Sequence, residues 1–380
     1  MALPIRDPLL DHERDTYLSR RQPVSPEDAL EAGGFSPLEP IDCLLGCGQW
    51  GVSPLARAAL AAFDPGALAH YPERFHETLL APAILSRFAG HGVTAEQLFL
   101  GHGSFNILER IVHKLVRPGC MLGIGPQFAE IPSEWKAAGG SYRPLPLEAP
   151  AYSLPLAALE NAVAREVVSL VYVDNPNNPL GCYFPPAEME RLATACARRS
   201  TILVVDEALG DFIDDEQSCI RLTTSHDNVI VTRSFSKALG LAAERIGYAF
   251  FSPRLAEHYR PIDVPFEPGL LAATLARETL RDATFLGQVR GEVVWAKAEI
   301  VRALGDAGLA VLSTHPGVSI LTVHAPARDL RRQLRSRGIL VQAGSSFGRT
   351  HAGWDDSYCR LRIVARPLVP TLCERIRSLQ

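Results

Sequence analysis

The sequence predicts an α/β fold: a three-layer sandwich built on a mostly parallel sheet, followed by a smaller α+β domain. Two observations predict it. Between about residues 98 and 251, short and almost wholly apolar segments alternate with segments of helical periodicity, and strands buried on both faces are typical of parallel sheets. The last third of the chain lacks this alternation, and 380 residues are more than one hydrophobic core usually serves.

The alternating region contains six apolar segments that we interpret as strands. Each is bounded by polar, glycine or proline residues, as expected for buried strands. They are "LFLG" (98–101), "CMLGIG" (120–125), "VVSLVYV" (167–173), "ILVVD" (202–206), "VIVTR" (229–233) and "IGYAFF" (246–251).

Helices are expected between these strands and through much of the remaining chain. "SFNILERIVHKLV" (104–116) and "PAEMERLATACARR" (186–199) have the spacing of amphipathic helices. One long helical stretch is expected at about 268–305, and beyond it strands at "LAVLS", "VSILTVH", "GILVQ" and "CRLRIV", with a helix at "ARDLRRQLRSR" and a last one at the end. We therefore expect a large domain at 51–265, a small domain at 266–380, and an amino-terminal segment, 1–50, that joins the small domain.

Composition excludes several classes of protein. With 47% hydrophobic and 21% charged residues and a net charge of −4, the chain does not resemble a nucleic-acid binder. Its eight cysteines are scattered without a repeated CxxC pair, which predicts a cytoplasmic protein with neither a disulfide framework nor a metal site. We expect no membrane association, because no apolar run has the length of a span and the amino terminus is acidic and proline-containing.

Lysine is scarce in this chain, since four of its 38 basic residues are lysine. Lys237, in "SFSKALGLAAERIGY" (234–248), is one of them. A guanidinium stays protonated and is a poor nucleophile, whereas an amine can lose its proton to suitable surroundings. Lys237 is therefore either a surface residue or a residue with amine chemistry.

Polar residues follow several of the predicted strands, and open α/β sheets bind ligands beyond the carboxyl ends of their strands. We expect these residues to converge on one crevice. In strand order they are Gly103 and Ser104, Phe128, Asn178, Asp206, and Ser234 to Lys237.

Four of the candidates suit a phosphate group. Gly103 and Ser104 begin a predicted helix, where free N–H groups and the helix dipole attract anions, although Ser104 could equally be a simple N-cap. The hydroxyl of Ser234 and the guanidinium of Arg245 also suit phosphate oxygens. Taken alone, an arginine such as Arg245 is more often a surface residue than a ligand.

Three further candidates suit a flat, polar ring. Asp206 ends a buried strand, where a carboxylate requires a positive partner, which could be a protonated ring nitrogen or one of the arginines. Asn178, in the turn "DNPNNPLG" (174–181), could donate to a ring oxygen or merely serve the turn. Phe128 could stack on the ring or belong to the core. With the amine of Lys237 and the phosphate candidates, this set describes pyridoxal 5′-phosphate (PLP).

With "NPNNPLG", "DEALGDF" and "SFSKALGLAAERIGY", the chain resembles the class I and II aminotransferases, fold-type I PLP enzymes, from about residue 40 to its end. It looks nearest to the histidinol-phosphate aminotransferase and threonine-phosphate decarboxylase branch. The resemblance implies that Lys237 forms the Schiff base with PLP, that Asp206 pairs with the pyridine nitrogen, and that Asn178 donates to the ring hydroxyl. It implies the same phosphate ligands as above, and Phe128 as the stacking ring.

The resemblance also implies two roles outside the strand ends. Tyr71 in "HYPE" resembles a tyrosine that reaches the phosphate of the other subunit, which implies a homodimer with shared active sites. Arg362 in "RLRIVARP" matches the arginine that binds the substrate carboxylate.

Two departures from the family pattern bear on the reaction. Leu209 occupies the place of a tyrosine that usually donates to the ring oxygen, and its absence should raise the pKa of the cofactor imine. The amino-terminal family pattern is shortened to "CGQWGVSP" (47–54), with Trp50 in a region that usually contacts substrate. An unusual amino acid substrate is therefore expected.

The function expected is transamination of an amino acid or amino-acid derivative, with Lys237 also acting as the base at the α-carbon. The alternative is a decarboxylase, an elimination or replacement enzyme, a cyclase or an oxidase with the same cofactor. A binding module fused to a DNA-binding domain is less favoured, because few residues precede the family match. A nucleotide site at "GHGS" (101–104) is disfavoured as well, because the phosphate-loop motifs are missing.

Overall fold

The computed structural model describes residues 39–44, 49–72 and 79–379. Its strands, numbered along the chain, are β1 (Ile41–Asp42), β2 (Leu98–Gly101), β3 (Cys120–Gly125), β4 (Ser141–Pro146), β5 (Val168–Asp174), β6 (Ile202–Glu207), β7 (Val229–Ser234), β8 (Gly247–Phe251), β9 (Ala310–Val311), β10 (Ile320–His324), β11 (Ile339–Leu340), β12 (Gln342–Ala343) and β13 (Tyr358–Arg362).

The helices are numbered in the same way. They are α1 (Pro54–Ala61), α2 (Ala81–Arg87), α3 (Ser104–Arg110), α4 (Glu130–Ala137), α5 (Leu156–Arg165), α6 (Pro186–Ala197), α7 (Leu222–Ser225), α8 (Pro253–Tyr259), α9 (Leu270–Arg281), α10 (Phe285–Asp306), α11 (Leu330–Ser336) and α12 (Val369–Arg377).

A seven-stranded sheet with the order β2-β8-β7-β6-β5-β3-β4 organises the larger part of the molecule. All pairs are parallel except those of β8, which runs antiparallel to both of its neighbours. Two separate apolar clusters cover the two faces of this sheet, which explains why its central strands are apolar throughout. The predicted α/β class with a mostly parallel sheet is confirmed.

The six strands predicted between residues 98 and 251 all form, and β4 is the strand that the sequence did not predict. Its segment "SYRPLP" (141–146) is half-buried, and it pairs only along one side, with β3. An edge strand tolerates proline and polar residues because one of its sides makes no ladder hydrogen bonds. Such a strand therefore lacks the apolar pattern by which the others were recognised.

The single helical stretch predicted at 268–305 was wrong in one respect, because it is broken into α9 and α10. Asp282 causes the break. Its Oδ1 accepts hydrogen bonds from the backbone N–H groups of Thr284 (3.3 Å) and Phe285 (3.1 Å), and its Oδ2 accepts one from the hydroxyl of Ser53 (2.7 Å). An aspartate that caps a new helix competes with continuation of the preceding one.

The carboxy-terminal part forms a second sheet with the order β12-β13-β10-β9, in which every pair is antiparallel. A second core lies between this sheet and helices α10 and α12. Ile41 and Cys43 belong to this core, and β1 pairs with β11 in parallel. Residues 39–44 therefore pack with the carboxy-terminal part.

Helix α9 packs differently from the rest of the carboxy-terminal region. Its buried alanines, Ala272, Ala273 and Ala276, belong to the core of the seven-stranded sheet. The domain boundaries at residues 50 and 265 stay a prediction. Among the described residues, no helix combines the length and the apolar character that a membrane span requires, and no cluster of three or more His, Cys, Asp or Glu side chains is arranged to hold a metal ion.

Candidate active site

The carboxyl ends of β5, β6 and β7 bring three of the predicted regions side by side. Asp174 pairs with Asp206 across β5 and β6, and Asp206 pairs with Thr232 across β6 and β7. Because the strands are parallel, the segments that follow them leave the sheet at the same edge. The turn containing Asn178 and the loop containing Lys237 therefore begin next to Asp206.

Asp206 is a buried carboxyl with a full set of donors. It accepts hydrogen bonds from the hydroxyls of Tyr172 and Thr232, both at 2.9 Å, and from the backbone N–H of Ala208 at 3.1 Å. Burial raises its pKa above the ordinary range, whereas these donors and the nearby charge of Lys237 act to lower it. The carboxyl is thus held in one orientation, with the amine of Lys237 close by.

Lys237 is half-buried in the loop that follows β7. Its carbonyl accepts a hydrogen bond from the N–H of Gly240 (3.2 Å), a residue in the left-handed region with a φ of 75°. A side chain at Gly240 would collide with the backbone oxygen of Gly51. The segment that carries Trp50 therefore lies directly on the Lys237 loop.

The predicted phosphate ligands come together around the first turn of α3. Gly103 is the residue before this helix and has a φ of 82°, which favours glycine. A Cβ at Gly103 would lie 2.9 Å from Nη2 of Arg245, and a Cβ at Gly247 would collide with the backbone nitrogen of Ser104. Close backbone approach at these two glycines places β8 and Arg245 against the start of α3.

Ser236 joins the predicted phosphate ligands. The N–H of Ser236 donates to Oγ of Ser234 (3.1 Å), and the hydroxyl oxygen of Ser236 accepts a hydrogen bond from Nη1 of Arg245 (3.3 Å). Ser104, Ser234 and Ser236 are all buried, whereas Arg245 is exposed. Hydroxyls, helix N–H groups and a guanidinium are the donors that bind phosphate in proteins.

Phe128 and Asn178 are linked through a residue that the sequence analysis did not select. Oδ2 of Asp174 accepts hydrogen bonds from the backbone N–H groups of Phe128 (3.1 Å) and Asn178 (2.9 Å). The side-chain oxygen of Asn178 accepts a hydrogen bond from Nη1 of Arg360 (3.1 Å). The amide nitrogen of Asn178 is therefore the end of this side chain that can donate to a bound ring.

Arg362, the predicted carboxylate ligand, is buried at the end of β13 and held by the amino-terminal segment. Its Nη2 donates to the carbonyl of Asp42 and lies 3.6 Å from the Asp42 carboxylate. Arg360 is two residues earlier on the same strand, and strand geometry puts both side chains on one face. Nη2 of Arg360 donates to the carbonyl of Leu44, so the structure brings two arginines to this wall of the site.

The wall that contains Leu209 is apolar. Leu209 is buried in a cluster with Phe212 and Ala238, the neighbour of Lys237, and Trp50 packs against the same cluster. The rings of Trp50 and Phe212 meet edge to face at 6.1 Å. The indole Nε1 of Trp50 is buried and has no hydrogen-bond partner within the described part of the chain.

Tyr71 lies apart from these residues, on the surface. Its side chain is 74% exposed, and its ring stacks on that of Phe266 at 4.8 Å. Within the single chain Tyr71 does not join the predicted phosphate ligands.

A buried ion network fixes the ends of β6 and β7. Arg233 is fully buried and donates to Glu207 (2.8 Å) and Asp211 (2.7 Å), and Arg87 also pairs with Asp211 (2.8 Å). Burial acts to lower the pKa of Arg233, but the surrounding carboxylates raise it overall. Since Glu207 follows Asp206 and Arg233 precedes Ser234, this network holds two predicted cofactor ligands in register.

Sequence reasoning assigned no separate role to Asp174, Ser236 or Arg360, although Ser236 lies within the candidate range 234–237. Asp174 had a usable signal, because it ends an apolar strand just as Asp206 does. Ser236 had a weaker one in the alternation of "SFSK" (234–237). Arg360 had a signal in its two-residue spacing from Arg362 in "RLRIVARP" (360–367), but nothing in the sequence linked it to Asn178, 182 positions away.

The donor set fits the cofactor that the sequence predicts. PLP has a phosphate, a ring nitrogen, a ring hydroxyl and an aldehyde, and the described residues provide hydroxyls and a guanidinium, a buried carboxyl, an amide and an amine respectively. The glycines at 103 and 247 leave room where a Cβ would fill the cradle beside α3.

Comparisons with known proteins identify the family. A model of the family described as aminotransferase class I and II matches residues 44–376. The chain therefore belongs to the class I and II aminotransferases, as its motifs predicted, and this membership confirms PLP as its cofactor.

Individual relatives support the same branch. Histidinol-phosphate aminotransferase 2 of Carboxydothermus hydrogenoformans is 28% identical over 309 residues, which cover 79% of this chain and 81% of that protein. Histidinol-phosphate aminotransferase of Rubrobacter xylanophilus is 31% identical over 308 residues, which cover 80% of this chain and 84% of that protein. The predicted nearness to this branch is thereby confirmed.

A solved structure shares the fold. It is the crystal structure of histidinol-phosphate aminotransferase from Sinorhizobium meliloti in complex with pyridoxal-5′-phosphate. Its superposition includes all of this chain and 99% of that protein's chain, with a TM-score of 0.79 and 24% sequence identity. The predicted PLP fold type I is confirmed by this similarity.

Proposed function

We propose that this chain transfers the amino group of an amino acid or amino-acid derivative, with PLP held at Lys237 in the crevice beyond β5, β6 and β7. One observation carries the proposal: the charge of Lys237 acts on the buried carboxyl of Asp206, and Asp206 is paired with a residue of the strand that leads into the Lys237 loop. An amine for the aldehyde and an acid for the ring nitrogen thus occur at one sheet edge, next to a cluster of phosphate donors.

When bound, PLP supplies an aldehyde that condenses with amines and a ring that withdraws electrons from the substrate α-carbon. The carboxylate of Asp206 keeps a proton on the ring nitrogen, which maintains that electron withdrawal. Its two hydroxyl donors hold it in place, and burial strengthens the pairing because water is excluded.

Lys237 has two tasks in this proposal. Its amine would hold the aldehyde of the bound cofactor covalently, and when free it would act as the base for the proton on the substrate α-carbon. The protonated amine would then serve as a general acid.

The remaining residues orient the cofactor and the substrate. Ser104, Ser234, Ser236 and Arg245 bind the phosphate, Asn178 donates to the ring hydroxyl, and the Phe128 ring covers one face of the cofactor. Arg362 binds the substrate carboxylate or another anionic group of the substrate.

The substrate side chain is proposed to lie against the apolar wall that Trp50 and the cluster around Leu209 form together. A substrate acceptor would satisfy the buried indole N–H of Trp50. The relatives named above are histidinol-phosphate aminotransferases. Histidinol phosphate is therefore the first amine to test in a panel of amino acids and phosphorylated amines.

A second candidate function is favoured by Leu209. Without a hydroxyl at this position the ring oxygen of the cofactor loses a donor, and the distribution of charge in the reacting adduct changes. Decarboxylation, elimination or replacement, cyclisation or oxidation then compete with transamination. Stoichiometric transfer of the amino group to a keto acid distinguishes transamination from these reactions.

We further propose that the chain acts as a homodimer. Leu55, Leu68, Tyr71 and Phe266 are exposed hydrophobic side chains, and the stacked rings of Tyr71 and Phe266 form an apolar surface of the kind that interfaces cover. In a dimer, Tyr71 would reach the phosphate bound by the partner. The structure contains a single chain, so this assignment is supported by the surface and by the family resemblance.

The test of Lys237 is covalent. Borohydride reduction of the PLP-loaded protein should attach the cofactor to the peptide that contains Lys237, and Lys237→Ala should lose this label, the visible absorbance and turnover. Lys114→Ala, which removes an exposed lysine elsewhere, should keep all three. A label that persists in Lys237→Ala would contradict the proposal.

The phosphate ligands have a separate test. Arg245→Ala should weaken the binding of PLP by about tenfold or more, because a charge-assisted contact is lost. It should leave the affinity for pyridoxal, which has no phosphate, nearly unchanged. Equal losses for both compounds would show that Arg245 does not contact the phosphate.

A further inference from the structure

Asp174 is a buried acid to which the proposed mechanism gives no role. It ends β5 directly before the turn at 175–181, and its side chain is 3% exposed. A carboxyl group removed from water destabilises a protein unless it is well hydrogen-bonded. The carboxyl of Asp206 on the next strand adds to this cost, because the two acids face each other in register.

Three donors surround Asp174, and two of them belong to predicted cofactor ligands. Its Oδ2 accepts the backbone N–H groups of Phe128 (3.1 Å) and Asn178 (2.9 Å), and its Oδ1 accepts the side-chain nitrogen of Asn177 (3.0 Å). Phe128 follows β3 and Asn178 follows β5. One carboxyl oxygen therefore ties together two loops that leave different strands.

The three donors around Asp174 can be satisfied only by a side chain with two acceptor oxygens. The amide of Asn177 cannot turn over, because its nitrogen also donates to the carbonyl of Pro126 (2.9 Å) and its oxygen accepts the N–H of Leu180 (3.1 Å). All three partners of Asp174 are thus donors in fixed orientations. Two acceptor oxygens are required at this position.

Asn178 is held at both of its ends. Its backbone N–H is bound by Asp174, and its side-chain oxygen is bound by Arg360. The Phe128 loop is held from its other side, because the N–H of Gln127 donates to the hydroxyl of Thr350 (3.1 Å). Asp174 joins the two loops through the backbone of the predicted ligands themselves, and the hydrogen bond from Asn177 to the Pro126 carbonyl is a second link between the same loops.

We propose that Asp174 is a positioning residue of the cofactor site, which fixes the stacking ring of Phe128 and the amide of Asn178 relative to each other through one carboxyl oxygen. This inference rests on the proposed function, since it assigns Phe128 and Asn178 to the cofactor ring. It adds a residue that acts on PLP without touching it.

Asp174→Asn tests the proposal. The substitution keeps the size of the side chain but places an NH₂ group against one of the three donors. We expect the dissociation constant of PLP to rise by about tenfold or more, and the visible circular dichroism of bound PLP to change because the ring is held differently. Intrinsic tryptophan fluorescence measures the affinity, so turnover is not needed.

Glu134→Gln is the matched control. Glu134 is another buried carboxyl, paired with His113 at 2.9 Å. Its amide variant should destabilise the protein without altering PLP affinity or the visible spectrum. If Asp174→Asn does not fold, Asp174→Thr provides a shorter acceptor that suits a strand end and cannot reach both N–H groups.

A double-mutant cycle separates positioning from general destabilisation. If Asp174 acts through Asn178, the effect of Asp174→Asn on PLP affinity should shrink in an Asn178→Ala background. Multiplicative losses in the cycle, or wild-type affinity and spectrum in Asp174→Asn, would overturn the inference. Failure of the wild-type protein to bind PLP would instead overturn the proposed function.

Discussion

Asp174 and Asp206 are paired residues of the adjacent parallel strands β5 and β6, so two buried carboxyls meet at the edge of the sheet. Burial raises the pKa of both, and the charge of Asp206 raises the pKa of Asp174 further. Asp206 has the charge of Lys237 close by, whereas Asp174 has only uncharged donors among its hydrogen-bond partners. The two acids therefore differ in how ionisation affects the fold.

The cofactor-free protein should lose stability as the pH rises, through Asp174. Burial raises the pKa of Asp174 from 3.8 to about 7 in the fold. A raised pKa means that the folded state binds the proton of Asp174 more tightly than the unfolded state does. The contribution of this proton to the free energy of unfolding is therefore complete below the pKa of the unfolded state. It disappears as the pH rises through the pKa of the folded state. The difference amounts to at most about 4 kcal/mol between pH 4 and pH 8.

Urea unfolding of the wild-type protein and of Asp174→Asn across this pH range measures the effect. The free energy of unfolding should fall more steeply with pH in the wild-type protein than in the variant, which cannot ionise at this position. A difference between the two proteins that stays constant over the range would contradict the assignment.

The two hydroxyls on Asp206 should support cofactor binding. Thr232→Val and Tyr172→Phe each remove an O–H donor, which raises the pKa of Asp206 further and weakens its hold on the ring nitrogen. PLP affinity at neutral pH should fall about three- to tenfold, and the acid limb of binding should move to higher pH. Thr201→Val is the control, since its buried hydroxyl donates to the Val168 carbonyl at the other end of the sheet.

Gly247 should tolerate no side chain, because a Cβ there would collide with the backbone nitrogen of Ser104. Gly247→Ala should displace the start of α3 and reduce PLP affinity more than tenfold, while pyridoxal binding changes less. Gly291→Ala makes the same change inside α10, where a Cβ has no neighbour within 4 Å. That variant should gain about 0.5–1 kcal/mol of stability and bind PLP normally.

Leu209 offers a test of the choice of reaction. Leu209→Tyr should supply a hydroxyl at the ring oxygen, lower the pH at which the visible absorbance of bound PLP titrates, and increase the share of transamination. Leu209→Phe is the control, because a phenylalanine side chain has nearly the volume of a tyrosine side chain without the hydroxyl. Both substitutions overpack the cluster and should lower the free energy of unfolding by about 1–3 kcal/mol. Identical titrations of the two variants would show that Leu209 does not face the ring.

The surface around Tyr71 should hold the dimer together. Phe266→Glu places a charge beside the exposed Tyr71 ring, and it should shift the protein toward a monomer in analytical ultracentrifugation. Val167→Glu alters a residue that is 88% exposed elsewhere, and it should leave the assembly unchanged. A wild-type protein that sediments as a monomer, or a dimeric Phe266→Glu variant, would contradict the homodimer.

Local pattern was enough to predict the strands of the central sheet. Segments such as "ILVVD" and "VIVTR" are apolar because both faces of their strands are covered. Burial on both faces gives a continuous apolar run, which can be recognised from neighbouring residues alone. The edge strand β4 was not predicted because it is half-exposed to solvent. The break between α9 and α10 was not predicted because it depends on the capping contacts of Asp282.

The sequence by itself determined the α/β class, the family, and the sheet edge at which the predicted ligands converge. It could do so because strand-end positions and short motifs are local features of the chain. Tertiary structure decided that β8 runs antiparallel, that Arg360 binds Asn178 across 182 positions, and that Asp174 reaches Phe128 across 46. Contacts between residues so far apart in the chain leave no pattern in neighbouring residues. They arise only when the folded chain brings distant strands and loops together.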